Sequence, residues 1–368
     1  MAFIDRDDYG MLAMISPTTR CNLSCRYCYV SAGNNLAETD MSLDDIGLAY
    51  KWISEYMPLV PSKKVEIEWF GGEPFLRGAR YIDSAIEMQP QYFNPEVKVI
   101  NRIQTNFTLI GPEHVGVIKD RFGGYISGSY DFGGCNRVFP NGIQASAKIE
   151  EKIDFLISAG IKLGVVCTLT RDNFTKIEGI YRFFRDRNID FRVNRATRIP
   201  DPAVREISNS EYVKAVKRLF DLYLSDENPP MVFSNLTTMI QAYLSGKSTF
   251  CVGLDHPELH LAFEAQGRLF SRCRFIDPIG NFNKESPAEI LSKLKMGART
   301  VTRPQACKDC RFWGTACAGP CFGEPDMDCL NSQCGYRGET SLELWNYVAN
   351  FLHANGYEWG QFKKDTEK

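Results

Sequence analysis

Short apolar or alternating runs recur along the first half of the chain, each followed by a stretch whose apolar residues have helical spacing. The runs Met11 to Ser16, Val65 to Trp69, Val97 to Gln104, Tyr125 to Ser129, Lys162 to Thr168 and Asp190 to Val193 read as strands. Strands that alternate with helices need right-handed crossovers, so this pattern predicts a parallel sheet and an α/β fold. The first connecting helix has a well-marked start. Ser42 caps it, Asp45 sits at the reciprocal position, and Met41 and Ile46 are spaced as a hydrophobic staple. Its apolar positions Ile46, Ala49, Trp52, Ile53 and Tyr56 then share one face, as in a helix lying on a core.

Polar residues gather where each strand ends. A cysteine-bearing loop follows the first strand, Gly71-Gly72-Glu73-Pro74 the second, Gln104-Thr105-Asn106 closes the third, and Ser129-Tyr130-Asp131 the fourth. A sheet curled into a barrel places its chemistry at that end. Six strands in place of eight predict a partial (β/α)6 TIM barrel with a wide mouth, suited to a large substrate.

Residues 1–200 are read as this barrel and 201–250 as a helical bridge, with Tyr212 to Leu224 and Thr237 to Leu244 as helices on either side of Glu227-Asn228-Pro229-Pro230. Residues 251–368 form a cysteine-rich module, since eight of the thirteen cysteines lie there. A last helix is expected beyond them. Thr340 and Glu343 would make its capping box, Leu344, Val348, Phe351 and Leu352 its apolar face over that module, and Gly356 its stop.

Composition narrows the functional classes. At 368 residues the chain can bury a large core. Its 43 basic and 45 acidic residues carry no long single-sign run, so capture of a nucleic-acid backbone is not expected. No apolar stretch approaches the roughly 18 to 20 residues needed to span a bilayer, and the start lacks a secretion signal, so a cytoplasmic protein without membrane attachment is expected. Thirteen cysteines, an odd number clustered at ligand spacings, point to metal in a reducing compartment in preference to a disulfide scaffold.

Cys21, Cys25 and Cys28, spaced Cys-x3-Cys-x2-Cys with Tyr27 before the last, hold the strongest chemical signal. Three thiolates can bind three irons of a four-iron cluster and leave the fourth without a protein ligand, whereas a structural zinc or an electron-transfer cluster normally takes four. A zinc knuckle short of a ligand, or three unrelated core thiols, are the alternatives. The glycines of Gly71-Gly72-Glu73-Pro74 permit close backbone approach, and the carboxylate and turned carbonyls offer acceptors for an ammonium group. Among the remaining cysteines, Cys167 reads as a buried strand thiol, and Cys135 follows the fourth strand.

These motifs together resemble the radical S-adenosylmethionine (SAM) superfamily. The resemblance implies that Cys21, Cys25 and Cys28 hold a four-iron cluster whose open iron chelates SAM. It implies SAM contacts from Tyr27, from Gly71, Gly72, Glu73 and Pro74, from Ser129 and Asp131, from Arg137 toward the SAM carboxylate, and from Asn194. The distal cysteines resemble the SPASM domain, an extension carrying two auxiliary four-iron clusters. By that resemblance Cys251, Cys273 and Cys321 share one cluster and Cys307, Cys310 and Cys317 the other. Cys329 and Cys334 supply the remaining ligands, in either order. The spacing between Cys310 and Cys317 is six residues in place of five. A zinc ribbon on Cys307 and Cys310 is the competing reading.

The resemblance further implies a radical SAM oxidoreductase that cleaves SAM reductively to a 5′-deoxyadenosyl radical, with flavodoxin or ferredoxin as electron donor. The best match is the group that modifies ribosomally made peptides (RiPP maturases) by forming thioether, carbon-carbon or carbon-oxygen links. The anaerobic sulfatase-maturating enzymes, which form formylglycine, match in length and in the short leader before the first cysteine. They place an aspartate base directly after the second SPASM cysteine, where this chain has Arg274; Asp277 is the candidate base here. With 20 residues before Cys21 there is no room for a winged-helix peptide-recognition domain, so leader recognition falls to a separate protein or to the barrel mouth. A sugar or cyclitol dehydrogenase or epimerase, and a non-catalytic metal-binding interaction protein, complete the alternatives.

Overall fold

The computed structural model describes residues 10–28, 38–60, 63–196, 204, 206–246, 257–271, 278–298, 310–312 and 342–361. Six parallel strands stand in sequence order: β1 (Met11–Ser16), β2 (Lys64–Trp69), β3 (Lys98–Thr105), β4 (Tyr125–Ser129), β5 (Lys162–Leu169) and β6 (Asp190–Arg195). This order is the one a partial (β/α)6 barrel requires, and the expected strands are all present. Their ends differ by a residue or two: β6 runs on to Arg195 because Asn194 and Arg195 continue the ladder with Thr168 and Leu169.

The sheet does not stop at β1. A seventh strand, β7 (His260–Glu264), pairs parallel to β1 on its other side, and β8 (Arg268–Ser271) and β9 (Gly280–Asn281) follow antiparallel. The strand that feeds the cysteine loop is thus an interior strand. The sequence expectation of six strands missed this extension, because His260-Leu261-Ala262-Phe263-Glu264 is buried on both faces and shows no alternation.

Helix α1 (Leu43–Tyr56) begins as expected, with the Ser42 and Asp45 side chains each bonded to the other's backbone. Its face of Ile46, Ala49, Trp52, Ile53 and Tyr56 is buried, and so is Met41. The crossovers continue with α2 (Ala79–Glu87), α3 (Pro112–Phe122), α4 (Ser146–Ser158) and α5 (Ile177–Asp186). Along β1 and β2 every second residue, such as Ala13, Ile15, Val65, Ile67 and Trp69, is fully buried, while Met14, Glu66 and Glu68 alternate onto the less buried face.

The two helices expected as a bridge, α6 (Asn209–Ser225) and α7 (Ser234–Ser245), close the β6 side of the sheet. Phe184, Phe191 and Phe233 stack with centroids 4.7 Å apart at each step, joining α5, β6 and the start of α7. Asn235 accepts from the Val193 amide at 2.8 Å and donates to the Val193 carbonyl at 3.0 Å. An edge strand would otherwise offer these groups to another chain. Helix α8 (Pro287–Ala298) packs on α1. The last helix, α9 (Leu342–Ala354), buries Leu344, Trp345, Val348 and Leu352, with Phe351 half-buried. That face rests on α6 and α7. From the cysteine-rich segment, Phe312 stacks on Trp345 at 5.4 Å. The expected cap residue Thr340 lies outside the described residues.

Candidate active site

All parallel strands end at one edge of the sheet, and there the cysteine loop leaves β1 at Ser16. Its course is fixed by backbone hydrogen bonds to the segment after β4: Ser24 N–H donates to Val138 O at 2.7 Å and Arg26 N–H to Asn136 O at 2.9 Å. Cys28 N–H turns back to Cys25 O at 2.9 Å. Cys21, Cys25 and Cys28 are not in disulfides. Cys21 is exposed, yet desolvation by the surrounding protein raises its thiol, and it also raises half-buried Cys25, where the nearby Arg137 cation opposes it.

The Gly71 to Pro74 turn lies against the entry to this loop. Gly72 N–H donates to Thr18 O at 3.0 Å and Glu73 N–H to Arg20 O at 2.8 Å. A Cβ on Gly72 would stand 1.9 Å from the Arg20 carbonyl oxygen, and Gly71 has φ +128° with Ser16 Oγ 2.3 Å from where its Cβ would be. The glycines therefore allow a close approach, and the partner is the backbone of Thr18 to Arg20 itself. The Glu73 carboxylate is 1 % exposed and accepts from the Phe75 amide at 3.1 Å, Thr105 Oγ1 at 2.8 Å and the Asn106 amide at 2.7 Å. Desolvation raises it to about 7 in spite of these donors. The carboxylate thus clips the end of β2 to the end of β3.

Asn106 continues the link to the cysteines. Its Nδ2 lies 3.7 Å from Cys21 Sγ and 2.9 Å from Asn22 Oδ1, while its Oδ1 accepts from the Thr108 amide and hydroxyl at 3.0 and 2.6 Å.

On the other side of the loop Tyr27, Asp131 and Arg137 converge. Asp131 accepts from the Tyr27 hydroxyl, from Arg137 Nε at 2.9 Å and from the Thr168 amide at 2.8 Å. Arg137 Nη1 is 4.0 Å from Cys25 Sγ, and the guanidinium lies over the Tyr27 ring at 5.4 Å. Burial alone would lower the Arg137 pKa; Asp131, together with Tyr27 and Cys25, more than reverses this, so the cation persists. Burial, with Asp131 adding to it, pushes the Tyr27 phenol well above its usual value.

Ser129 accepts from Gln104 Nε2 at 3.0 Å, and Asn194 accepts from Arg192 Nε at 3.1 Å. Both stand at strand ends, outside the two networks around the cysteine loop. Cys167 is fully buried, as expected, and Cys135 Sγ donates to Asp172 Oδ2 at 3.2 Å. Cys251, Cys273, Cys307, Cys317, Cys321, Cys329, Cys334 and Asp277 lie outside the described residues; Cys310 lies beside Phe312.

No family model matches the chain. It is 22% identical over 363 residues to a cysteine-type anaerobic sulfatase-maturating enzyme of Clostridium perfringens, covering 92% of this chain and 93% of the relative. The fold matches native anSMEcpe with bound AdoMet and Cp18Cys peptide, with TM-score 0.74, 18% identity and coverage of 94% and 98%. It also matches SuiB of Streptococcus suis bound to S-adenosylmethionine, with TM-score 0.59, 16% identity and coverage of 86% and 73%. Over nearly its full length the chain is similar in sequence to anaerobic sulfatase-maturating enzymes, and it shares the fold of anSMEcpe.

The donor set at the cysteine loop fits an iron-sulfur cluster. Three thiols share one anchored loop, with an amide and a guanidinium directed at two of the sulfurs. A cluster would seat each of these thiolates on its own iron. Among the described residues no helix is long and apolar enough to cross a membrane. Sequence reasoning noted Thr105 and Asn106 only as polar strand ends and passed over Asn22, Thr108 and Thr168. The signal for Asn22 was available, since it lies inside the cysteine run.

Proposed function

We propose that this protein is a radical SAM enzyme, a maturase that oxidises a side chain in a peptide, forming a thioether, carbon-carbon or carbon-oxygen crosslink. Cys21, Cys25 and Cys28 would hold a four-iron cluster, which with SAM bound would supply the one-electron reduction and radical chemistry needed to remove a substrate hydrogen. Two auxiliary clusters are assigned to Cys251, Cys273 and Cys321 and to Cys307, Cys310 and Cys317, with Cys329 and Cys334 as the remaining ligands. The division into barrel (1–200), bridge (201–250) and cluster module (251–368) belongs to the same proposal, as does a flavodoxin or ferredoxin donor.

The chain's own residues shape the site. Glu73 holds the ends of β2 and β3 together, so the turned backbone of Gly71 to Pro74 is fixed beside the cysteine loop for the SAM amino group. Tyr27, clamped by Asp131, gives the adenine an immobile aromatic edge. Ser129 and Asn194, at neighbouring strand ends, are assigned to the rest of SAM. Glu66, Glu68 and Arg102 on the less buried face of β2 and β3 give the barrel interior charged groups for a polar peptide.

The observation that carries the reading is the anchored three-thiol loop at a parallel-sheet mouth, on a chain aligned over nearly its full length with a peptide-modifying family. The solved relatives support a peptide substrate: anSMEcpe is bound to Cp18Cys peptide and SuiB to its precursor peptide SuiA. Formylglycine formation is the second reading, favoured by the sequence match to the cysteine-type enzyme. Arg274, where those enzymes have their aspartate, counts against it.

Mass spectrometry separates these readings. The reconstituted enzyme is incubated with SAM, reductant and either the peptide encoded beside its gene or a sulfatase peptide carrying cysteine or serine. Loss of two hydrogens from the neighbouring peptide, with a new link located by fragmentation, is expected. An aldehyde on the sulfatase peptide would establish the second reading. 5′-Deoxyadenosine formed while both peptides stay unchanged would overturn both and leave a small-molecule substrate. Any leader-recognition protein would be found by its ability to restore activity on the full precursor.

A further inference from the structure

Two nitrogen groups approach the cysteine loop from opposite sides, and neither is mobile. Asn106 Nδ2 is 3.7 Å from Cys21 Sγ. Its amide oxygen is occupied by Thr108, and its backbone N–H by Glu73. Arg137 Nη1 is 4.0 Å from Cys25 Sγ, while Nε and Nη2 are taken by Asp131 at 2.9 and 3.5 Å. These arrangements hold donors toward sulfur with little freedom to turn away.

An N–H directed at a cluster sulfur, or a cation beside it, favours the form carrying one more negative charge. Hydrogen bonds to the sulfurs, local charge and exposure are the means by which proteins set cluster potentials. The effect grows where water is excluded, and Arg137 is 11 % exposed. The Arg137 contact is at the outer limit of a hydrogen bond to sulfur, so its charge is the main contribution; Asn106 acts through its N–H.

We infer that Asn106 and Arg137 raise the reduction potential of the cluster on Cys21, Cys25 and Cys28, with Glu73 and Asp131 as the positioning residues that aim them. This assigns Arg137 to cluster sulfur in addition to any SAM carboxylate. The inference rests on the cluster reading above.

The test uses the full chain with its clusters reconstituted, and EPR-monitored redox titration of the signal that changes on adding SAM. Asn106→Asp keeps the acceptor for Thr108 and removes the donor to sulfur; Arg137→Gln removes the charge; Arg137→Lys retains it as a point charge. At a fixed poise, the reduced fraction should fall several-fold in Asn106→Asp and Arg137→Gln and recover partly in Arg137→Lys, with iron per chain unchanged. Pulsed EPR of wild-type enzyme labelled with 15N-arginine should show a nitrogen coupling to the reduced cluster that Arg137→Gln abolishes. Because this second measurement uses the native chain, it stands even where a substitution costs iron. Unaltered titrations at full iron content, or no arginine coupling, would overturn the inference. Absence of any SAM-responsive signal in the wild type would instead overturn the cluster reading.

Discussion

Glu73 and Asp131 are both buried carboxylates at strand ends, one on each side of the cysteine loop, and they are stabilised by opposite means. At 1 % and 4 % exposure they face the same desolvation. Glu73 meets it with uncharged donors from the backbone and a threonine, and its pKa rises to about 7. Asp131 meets it with the Arg137 cation, the Tyr27 hydroxyl and the Thr168 amide. The difference teaches what each one does. A carboxylate bound to neutral donors ties backbone segments together whether or not it is charged. One paired with a cation keeps a positive charge in place, and here that charge sits beside a cysteine.

The comparison breaks most visibly at Asp131. Asp131→Ala leaves Arg137 buried without its counter-charge and should cost about 3–5 kcal/mol in denaturant unfolding, the usual result of removing half of a buried pair. A loss no larger than that of an exposed pair would show that Arg137 is hydrated after all. Gly72→Ala comes next. Its methyl group collides with the Arg20 carbonyl, so about 1–3 kcal/mol of stability is expected to go as the turn and the cysteine loop separate. Iron bound after reconstitution should drop in parallel.

Glu73→Gln sharpens the contrast through pH. It should cost about 1–3 kcal/mol by leaving an amide donor without its acceptor. The carboxyl's folded pKa is raised from 4.5 to about 7, so the stability it contributes is complete below pH 4.5 and is lost as pH rises toward 7. Wild-type unfolding free energy should therefore fall across that window, and the fall should be shallower in Glu73→Gln. Burial lifts Glu68 to about 7 as well, so part of the slope persists in the variant. The smallest effect is expected from Arg20→Ala. Its pair with Asp40 at 2.5 Å lies at the surface of the same mouth, and the denaturation midpoint should stay within replicate scatter.

Much of this was legible along the chain because it is local. The capping box of Ser42 and Asp45, the stripe from Ile46 to Tyr56, the strand alternation and the buried Cys167 depend on neighbours a few positions away. The cysteine spacing could be read as a ligand pattern for the same reason. What was hidden depends on distant partners. Nothing near Asp131 reveals that Tyr27 and Thr168 will share its oxygens. The glycine pair was legible as a place of close approach, but not that the approaching group is the backbone of Thr18 to Arg20. Phe184, Phe191 and Phe233 read as separate apolar residues until the bridge helices stack them across the edge of β6.

The central position of β1 also sets an order of events during synthesis. Leu12 pairs with both Glu66 and His260, so β1 waits for a strand made much later than itself. Until His260 to Glu264 emerges, that strand has an open side able to recruit a stray polypeptide. A nascent chain halted before this point presents Cys21, Cys25 and Cys28 on an unfinished support, and the longer chain presents them on a completed one.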